Sequence, residues 1–365
     1  MSFHVEIITS EEQFASMREA WDALVFANAD TTTSIFQSWA YLFNHWKFRK
    51  TVDGVSRELR LYLLYDDSEL IAIAPMWVNV FKYVLRFRVL EFLGSRGLDY
   101  LDVITKPGHD TQELVSALFE SILDDHCWDV ISLSEIRKES SQIINSVVSK
   151  QGLSPKLAPC SICVGISLPK TWDEYRAQIG RSTRRHLNYE ENRLEKRHKT
   201  EFTIYQEYTQ KFVEVLNALQ LAHQKRWNAV GHTGAFHNDN LKRMNVEICK
   251  ALADNGALRY FVLTADGIPV AGMACGTIGK TIYVHTMLVA LESEFRDLSV
   301  GKIILKKAIQ WSIENGYSKF DMLRGEEPYK FNFGGEAVLD YKITVCRNTL
   351  MKAVVSLARV MGKAI

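Results

Sequence analysis

The sequence predicts a duplicated α/β fold (α+β, mixed sheet) in two tandem domains, residues 1–168 and 169–365. Three observations point there. Leu59–Pro75 (LRLYLLYDDSELIAIAP) and Leu258–Ala274 (LRYFVLTADGIPVAGMA) align without a gap, Leu on Leu, Arg on Arg and Asp67 on Asp266. Each stretch is an apolar run, a polar turn and a second apolar run, the pattern of a β-hairpin. Downstream of each comes a strand, a helix and another strand, a crossover that lets the flanking strands run parallel in one sheet.

Taken in order, helical periodicity covers 11–27 and 38–48 before the first hairpin and 212–226 and 240–255 before the second. After the first hairpin a helix is expected over 110–125 and a strand over 128–134 (WDVISLS). After the second, a helix is expected over 301–315, with Ile303, Ile304, Lys307, Ala308, Trp311 and Ser312 on one face, then a strand over 317–323. The domains divide where a strand-like 161–168 meets Pro169 and Thr171 or Asp173 caps a new helix. A basic helix spans 181–197. An amphipathic helix, 349–365, carries Lys352, Arg359 and Lys363 and reads as a packing helix before a membrane-surface one.

Composition narrows the function classes. Lys plus Arg number 44 against 43 Asp plus Glu, so no global field attracts a polyanion, and DNA is not an expected partner. No window approaches the roughly 18 apolar residues of a membrane span, and residues 1–10 lack a secretory pattern, so a cytoplasmic protein, peripheral to a membrane at most, is expected. The six cysteines are scattered, as in a reducing compartment. Cys160-x-x-Cys163 stands without a second pair or a nearby His and reads as packing, and no metal site is expected. Neither a G-x-S-x-G elbow nor a Walker A loop occurs, which disfavours hydrolase and nucleotide-hydrolysing readings.

Four constellations remain. In 281–305 (TIYVHTMLVALESEFRDLSVGKIIL) a strand ends near Met287, Leu288 and Val289. Arg296-x-x-Ser299-Val300-Gly301-Lys302 then opens a helix. Small residues at a helix start let backbone N–H groups and the helix dipole approach a phosphate; an ordinary Ser299 N-cap is the plainer alternative. In 320–334 (FDMLRGEEPYKFNFG), Asp321, Arg324, Tyr329 and Lys330 cluster at a strand's carboxyl end, where open α/β sheets bind ligands. Simple pairing of Asp321 with Arg324 or Lys330 is the alternative. Arg181, Arg184 and Arg185 head the basic helix and could grip an acceptor phosphate, or merely line a solvated face on which Glu190, Glu191 and Glu195 pair at i,i+4. Asp99, Asp102 and His285 are general-base candidates; turn formation by the two aspartates and a satisfied core histidine are the alternatives.

These segments resemble the GNAT acyltransferase superfamily, whose acyl-CoA loop reads Gln/Arg-x-x-Gly-x-Gly/Ala. Arg296 and Gly301 match it, and Ser299 replaces the first Gly. More closely, Ser95–Asp102 (SRGLDYLD), the basic helix, Leu298–Gly301 and 320–334 are similar to the tandem CelD-like acetyltransferases of bacterial exopolysaccharide synthesis, which usually carry Pro at the place of Val300. Tyr329-Lys330-Phe331-Asn332-Phe333-Gly334 is similar to the aromatic-Lys-x-x-Phe-Gly stretch of the Fem-type aminoacyltransferases, also tandem GNAT folds.

The resemblance implies transfer from acetyl-CoA or another acyl-CoA to an amine or hydroxyl of a small-molecule, glycan-linked or lipid-linked acceptor. The donor would sit on Met287–Val289 and the 296–302 turn, with Lys330 orienting an acyl donor or a phosphate-bearing substrate. The first domain, lacking a comparable helix start before Asp110, would shape the acceptor site. Two alternatives stay open: a Fem-like transfer from aminoacyl-tRNA, and a non-catalytic binding partner in exopolysaccharide assembly.

Overall fold

The computed structural model describes residues 3–27, 33–50, 55–82, 86–229, 231–234, 236–290, 295 and 297–360, without the side chains of 82 and 357–360. Arg296, Lys363 and the Arg359 side chain, named above, lie outside the described residues.

The chain opens with β1 (Phe3–Ile8), α1 (Glu11–Ser16), α2 (Arg18–Ala27) and α3 (Trp39–Arg49). The first hairpin is β2 (Ser56–Asp66) and β3 (Glu69–Lys82), followed by β4 (Arg86–Phe92), β5 (Ile104–Thr105), α4 (Thr111–Asp124), β6 (Val130–Arg137) and α5 (Lys138–Lys150). Then come β7 (Lys156–Ser167), α6 (Trp172–Gln178), α7 (Arg181–Arg197), β8 (Thr200–Tyr205), α8 (Gln210–Ala229) and α9 (Asp239–Asp254). The second hairpin is β9 (Leu258–Ala265) and β10 (Ile268–Ile278); β11 (Thr281–Val289), α10 (Val300–Glu314), β12 (Lys319–Arg324), α11 (Pro328–Asn332), β13 (Glu336–Cys346) and α12 (Thr349–Val360) complete the chain.

These elements form two compact units, residues 1–161 with 339–365, and residues 162–338. The division expected at 168/169 did not anticipate the return of 339–365 to the first unit. That return follows from β13, which pairs antiparallel with β6 from Asp340↔Arg137 to Cys346↔Val130.

Strand order repeats between the units. The first runs β1-β2-β3-β4-β6-β13, the second β8-β9-β10-β11-β12-β7. In both, four antiparallel strands meet a parallel fifth, β4 on β6 and β11 on β12, and an antiparallel strand closes the set. The aligned aspartates show why the hairpins match. Asp67 and Asp266 both adopt left-handed backbone, φ 51° and 52°, the conformation a tight two-residue hairpin turn demands and that Asp tolerates.

Each unit has its own core. Trp21, Trp77, Trp128, Phe92 and Phe119 are buried in the first. In the second, α10 turns Ile303, Ile304, Ala308 and Ile309 onto Phe261, Ile282 and Phe320. Each large aliphatic side chain so buried stabilises the unit by about 1.5–3 kcal/mol. Among the described residues no helix is long and apolar enough to cross a membrane.

Candidate functional site

The second unit opens its sheet next to the head of α10. Strands β11 and β12 pair in parallel only over Thr281↔Lys319, Ile282↔Phe320 and Tyr283↔Asp321, and no further pairs join them along the rest of either strand. Two irregularities accompany this. On β11 the register against β10 passes from Cys275↔Val284 to Ala274↔Thr286, so His285 is the extra residue of a β-bulge. On β12, Leu323 takes a left-handed φ of 59° as the register against β7 shifts between Asp321 and Arg324.

Asp321 is fully buried and holds the second irregularity in place. Its carboxylate accepts the Leu323 N–H at 3.0 Å and pairs with Lys319 at 3.0 Å. The partner is Lys319 because side chains two apart on a strand share a face, and Gly165 opposite leaves room for the lysine stem. Lys330, 3 % exposed, donates to the carbonyls of Leu323, Arg324 and Gly325 at 3.1, 2.7 and 3.3 Å and meets Glu327 at 3.1 Å. Its ammonium thus gathers three successive carbonyls where the strand ends. In this geometry Lys330 fixes the turn into α11. Arg324 sits exposed at the strand end.

At the head of α10, Ser299 is the N-cap and makes no side-chain capping bond; the first turn contains no acidic residue. Gly301 lies against β11: a Cβ there would stand 3.3 Å from Val289 Cγ2 and 3.9 Å from Met287 Cε, which makes the close approach of turn to strand a requirement for a small residue. Among the described residues nothing accepts from the Val300 and Gly301 amides, as befits the first turn of a helix. The Ser299 N–H, however, donates to the Glu190 carboxylate at 3.2 Å, and Glu190 is buried on the same stripe of α7 as Leu187 and Leu194. An internal carboxylate therefore satisfies one of the three amides expected to hold a diphosphate.

The rest of α7 packs its charges along α10. Glu191 pairs with Lys306 and Lys307, both at 2.5 Å, and Arg193 and Arg197 both pair with Asp297. The carboxylates of α7 thus answer lysines on a neighbouring helix, where i,i+4 pairing within α7 was the plainer expectation. Arg184 donates to the carbonyls of Arg176 and Ile179 and so closes the α6–α7 corner; Arg181 and Arg185 are exposed.

Between the heads of α7, α10 and α11 lies a cavity of 220 Å³, lined in part by Thr183, His186, Lys302, Tyr329 and Asn332. Lys302 Nζ stands 3.3 Å from His186 Nε2. Burial, and then the nearby Glu327, raise the Tyr329 phenol above its ordinary range, so it stays protonated at neutral pH. His285 is lowered to about 4 by desolvation and is neutral there.

Of the residues expected from sequence, this cavity and the adjoining turn gather Met287, Val289, Ser299, Val300, Gly301, Lys302 and Tyr329. Asp99 and Asp102 belong to the first unit, where both are buried. Asp102 lines a separate cavity there. Thr183, His186, Asn332 and Glu190 were missed as site residues. Glu190 had a legible signal, a carboxylate on the apolar stripe Leu187–Leu194 of a predicted helix.

Residues 181–331 match the acetyltransferase (GNAT) domain family. No curated protein sequence matches the chain. Among solved structures, FemX is similar at a TM-score of 0.63 and 12 % identity over 97 % of this chain and 100 % of that one. The C-terminal domain of a lysylphosphatidylglycerol synthetase candidate from Agrobacterium fabrum gives 0.55 and 14 % over 95 % and 96 %. L-PGS from Bacillus licheniformis gives 0.51 and 13 % over 84 % and 90 %. Residues 181–331 thus match a GNAT-type acetyltransferase domain, and the mixed α/β fold is shared with these structures.

Proposed function

We propose that the second unit transfers an acyl group, acetyl in the simplest case, from acyl-CoA to an amine or hydroxyl of a small or glycan-linked acceptor. The observation that supports this most is the open end of β11 beside an α10 head that has no acid in its first turn and offers the Val300 and Gly301 amides. Those amides and Lys302 suit a diphosphate. Backbone N–H groups of β11 near Met287–Val289, left without a β12 partner, suit the thioester carbonyl, whose charge grows as the acceptor attacks. Tyr329, protonated, can return a proton to the departing thiolate. His285, neutral, can take the proton that the acceptor loses. Arg181 and Arg185, exposed on α7, would hold an acceptor phosphate, consistent with a setting in exopolysaccharide or cell-envelope synthesis.

One observation favours a second reading. Glu190 already fills the Ser299 amide, as it could where the donor brings no diphosphate to this turn, and a Fem-like transfer from aminoacyl-tRNA has that property. Thiol release from acetyl-CoA with a panel of amines and sugars, run beside deacylation of aminoacyl-tRNA, separates the two. Acceptor-dependent thiol release supports the first. Consumption of aminoacyl-tRNA alone replaces it with the second.

A further inference from the structure

The first unit contains a cavity of its own, 230 Å³, in the region that answers by topology to the cavity beside α10 in the second. Helix α4 stands to β4 and β6 as α10 stands to β11 and β12, and the cavity lies at the heads of α4 and α5 as the other lies at the heads of α10 and α11. Its chemistry is different. The N-terminus of α4 is closed by its own Asp110, whose carboxylate accepts the Gln112 N–H at 2.9 Å, and Glu113 adds a second acid to the first turn. An anion is therefore disfavoured there.

The carboxylate on the cavity wall is that of Asp102, which accepts the Val103 N–H at 2.7 Å and lies beside the Ser140 hydroxyl. Thr33, Thr105 and Thr111 add hydroxyls, over an apolar floor that includes Ile143 and Ile144. Lys106 also lines the cavity and pairs with Glu69, while Arg137 stacks on the Tyr100 ring at 4.5 Å. Burial outweighs Arg137 and the hydrogen bonds, so the Asp102 carboxyl is pushed up to about 6, the behaviour of a carboxylate whose counter-charge is incomplete. His109 also stands at the cavity wall. At about 30 Å³ per water, the space equals roughly seven or eight waters, enough for a ligand of about a dozen heavy atoms.

We propose that this cavity is a second binding site, for a small hydroxylated primary amine whose ammonium completes the charge of Asp102. The site lies in the first unit and needs no acyl donor, so it stands or falls apart from the transfer proposed above.

Glucosamine and glucose, differing in one ammonium, are the probes, titrated by ligand-observed NMR against the whole chain at pH 7 without CoA. Glucosamine is expected to bind at least tenfold tighter than glucose, and Asp102→Asn to bring it down to the affinity of glucose. At pH 5, where Asp102 holds its proton, the preference should shrink severalfold. Ile143→Trp, which fills the floor and leaves the carboxylate intact, should abolish binding of both sugars while thermal unfolding is unchanged, and it decides the matter if Asp102→Asn does not fold. No saturable glucosamine binding, equal binding of the two sugars, or glucosamine binding untouched by the variants overturns the proposal.

Discussion

Helices α4 and α10 hold the same place in the two units, after the fourth strand and before the parallel fifth, yet their heads are finished in opposite ways. The α4 head is capped from within by Asp110 and carries Glu113. The α10 head has a cap residue that makes no side-chain bond, no acid in its first turn and Lys302 beside it, and the carboxylate it meets is contributed from another helix. A cap built into its own turn is local and permanent. A carboxylate lent by α7 can be displaced by side-chain rotation. The same frame thus ends in two different chemistries: one head is capped by its own acids, and the other meets a carboxylate from α7.

The largest effect is expected from Gly301→Glu. The new side chain must pass Val289 and would place a negative charge at the amides, so CoA affinity should fall about a hundredfold, some 2.7 kcal/mol, by calorimetry. The same acid introduced at the α4 head should change nothing, and equal losses at both heads would break the contrast. A smaller effect of opposite sign is expected from Glu190→Ala. Freeing the Ser299 amide removes a competitor of the diphosphate, and affinity should rise about tenfold, the value of one hydrogen bond to a charged group. A fall in affinity would mean that Glu190 helps to shape the site instead of occupying it.

The smallest effects are on stability and differ in direction with pH. His285 is lowered to about 4, so the unfolded chain takes up a proton below pH 6.5 that the folded chain refuses, and stability is lost as pH falls through that window. Asp102 is raised to about 6, so the unfolded chain loses a proton above pH 3.8 that the folded chain retains, and stability is lost as pH rises towards 6. His285→Gln should recover about 1 kcal/mol at pH 5, a figure reduced because the ring is partly exposed. Asp102→Asn should flatten the other limb. Urea unfolding between pH 4 and 7 reads both, and variants that shift stability equally at every pH would contradict the assignments.

Much of the frame was legible because it rests on local rules. The gapless hairpin repeat found both β2–β3 and β9–β10, since Asp67 and Asp266 meet the same turn requirement. The basic helix was placed at 181–197, and the small residues at 299–301 marked a helix start. What could not be read was set by pairing over long separations. That β13 returns to β6 depends on which strand edge is vacant, and that Glu190 faces Ser299 depends on how α7 packs on α10. Lys330 shows the same limit: which carbonyls it gathers depends on the turn that follows the strand. Asp99 and Asp102 likewise read as loop bases, and only the fold places Asp102 on a cavity of the first unit.

The most direct measurement of the claim that one head alone accepts an anionic donor is the stoichiometry of CoA binding by calorimetry on the whole chain and on Glu190→Ala. A single site per chain, tightened in the variant, is the predicted result. Two equal sites, or no heat of binding even with Glu190 removed, would contradict it.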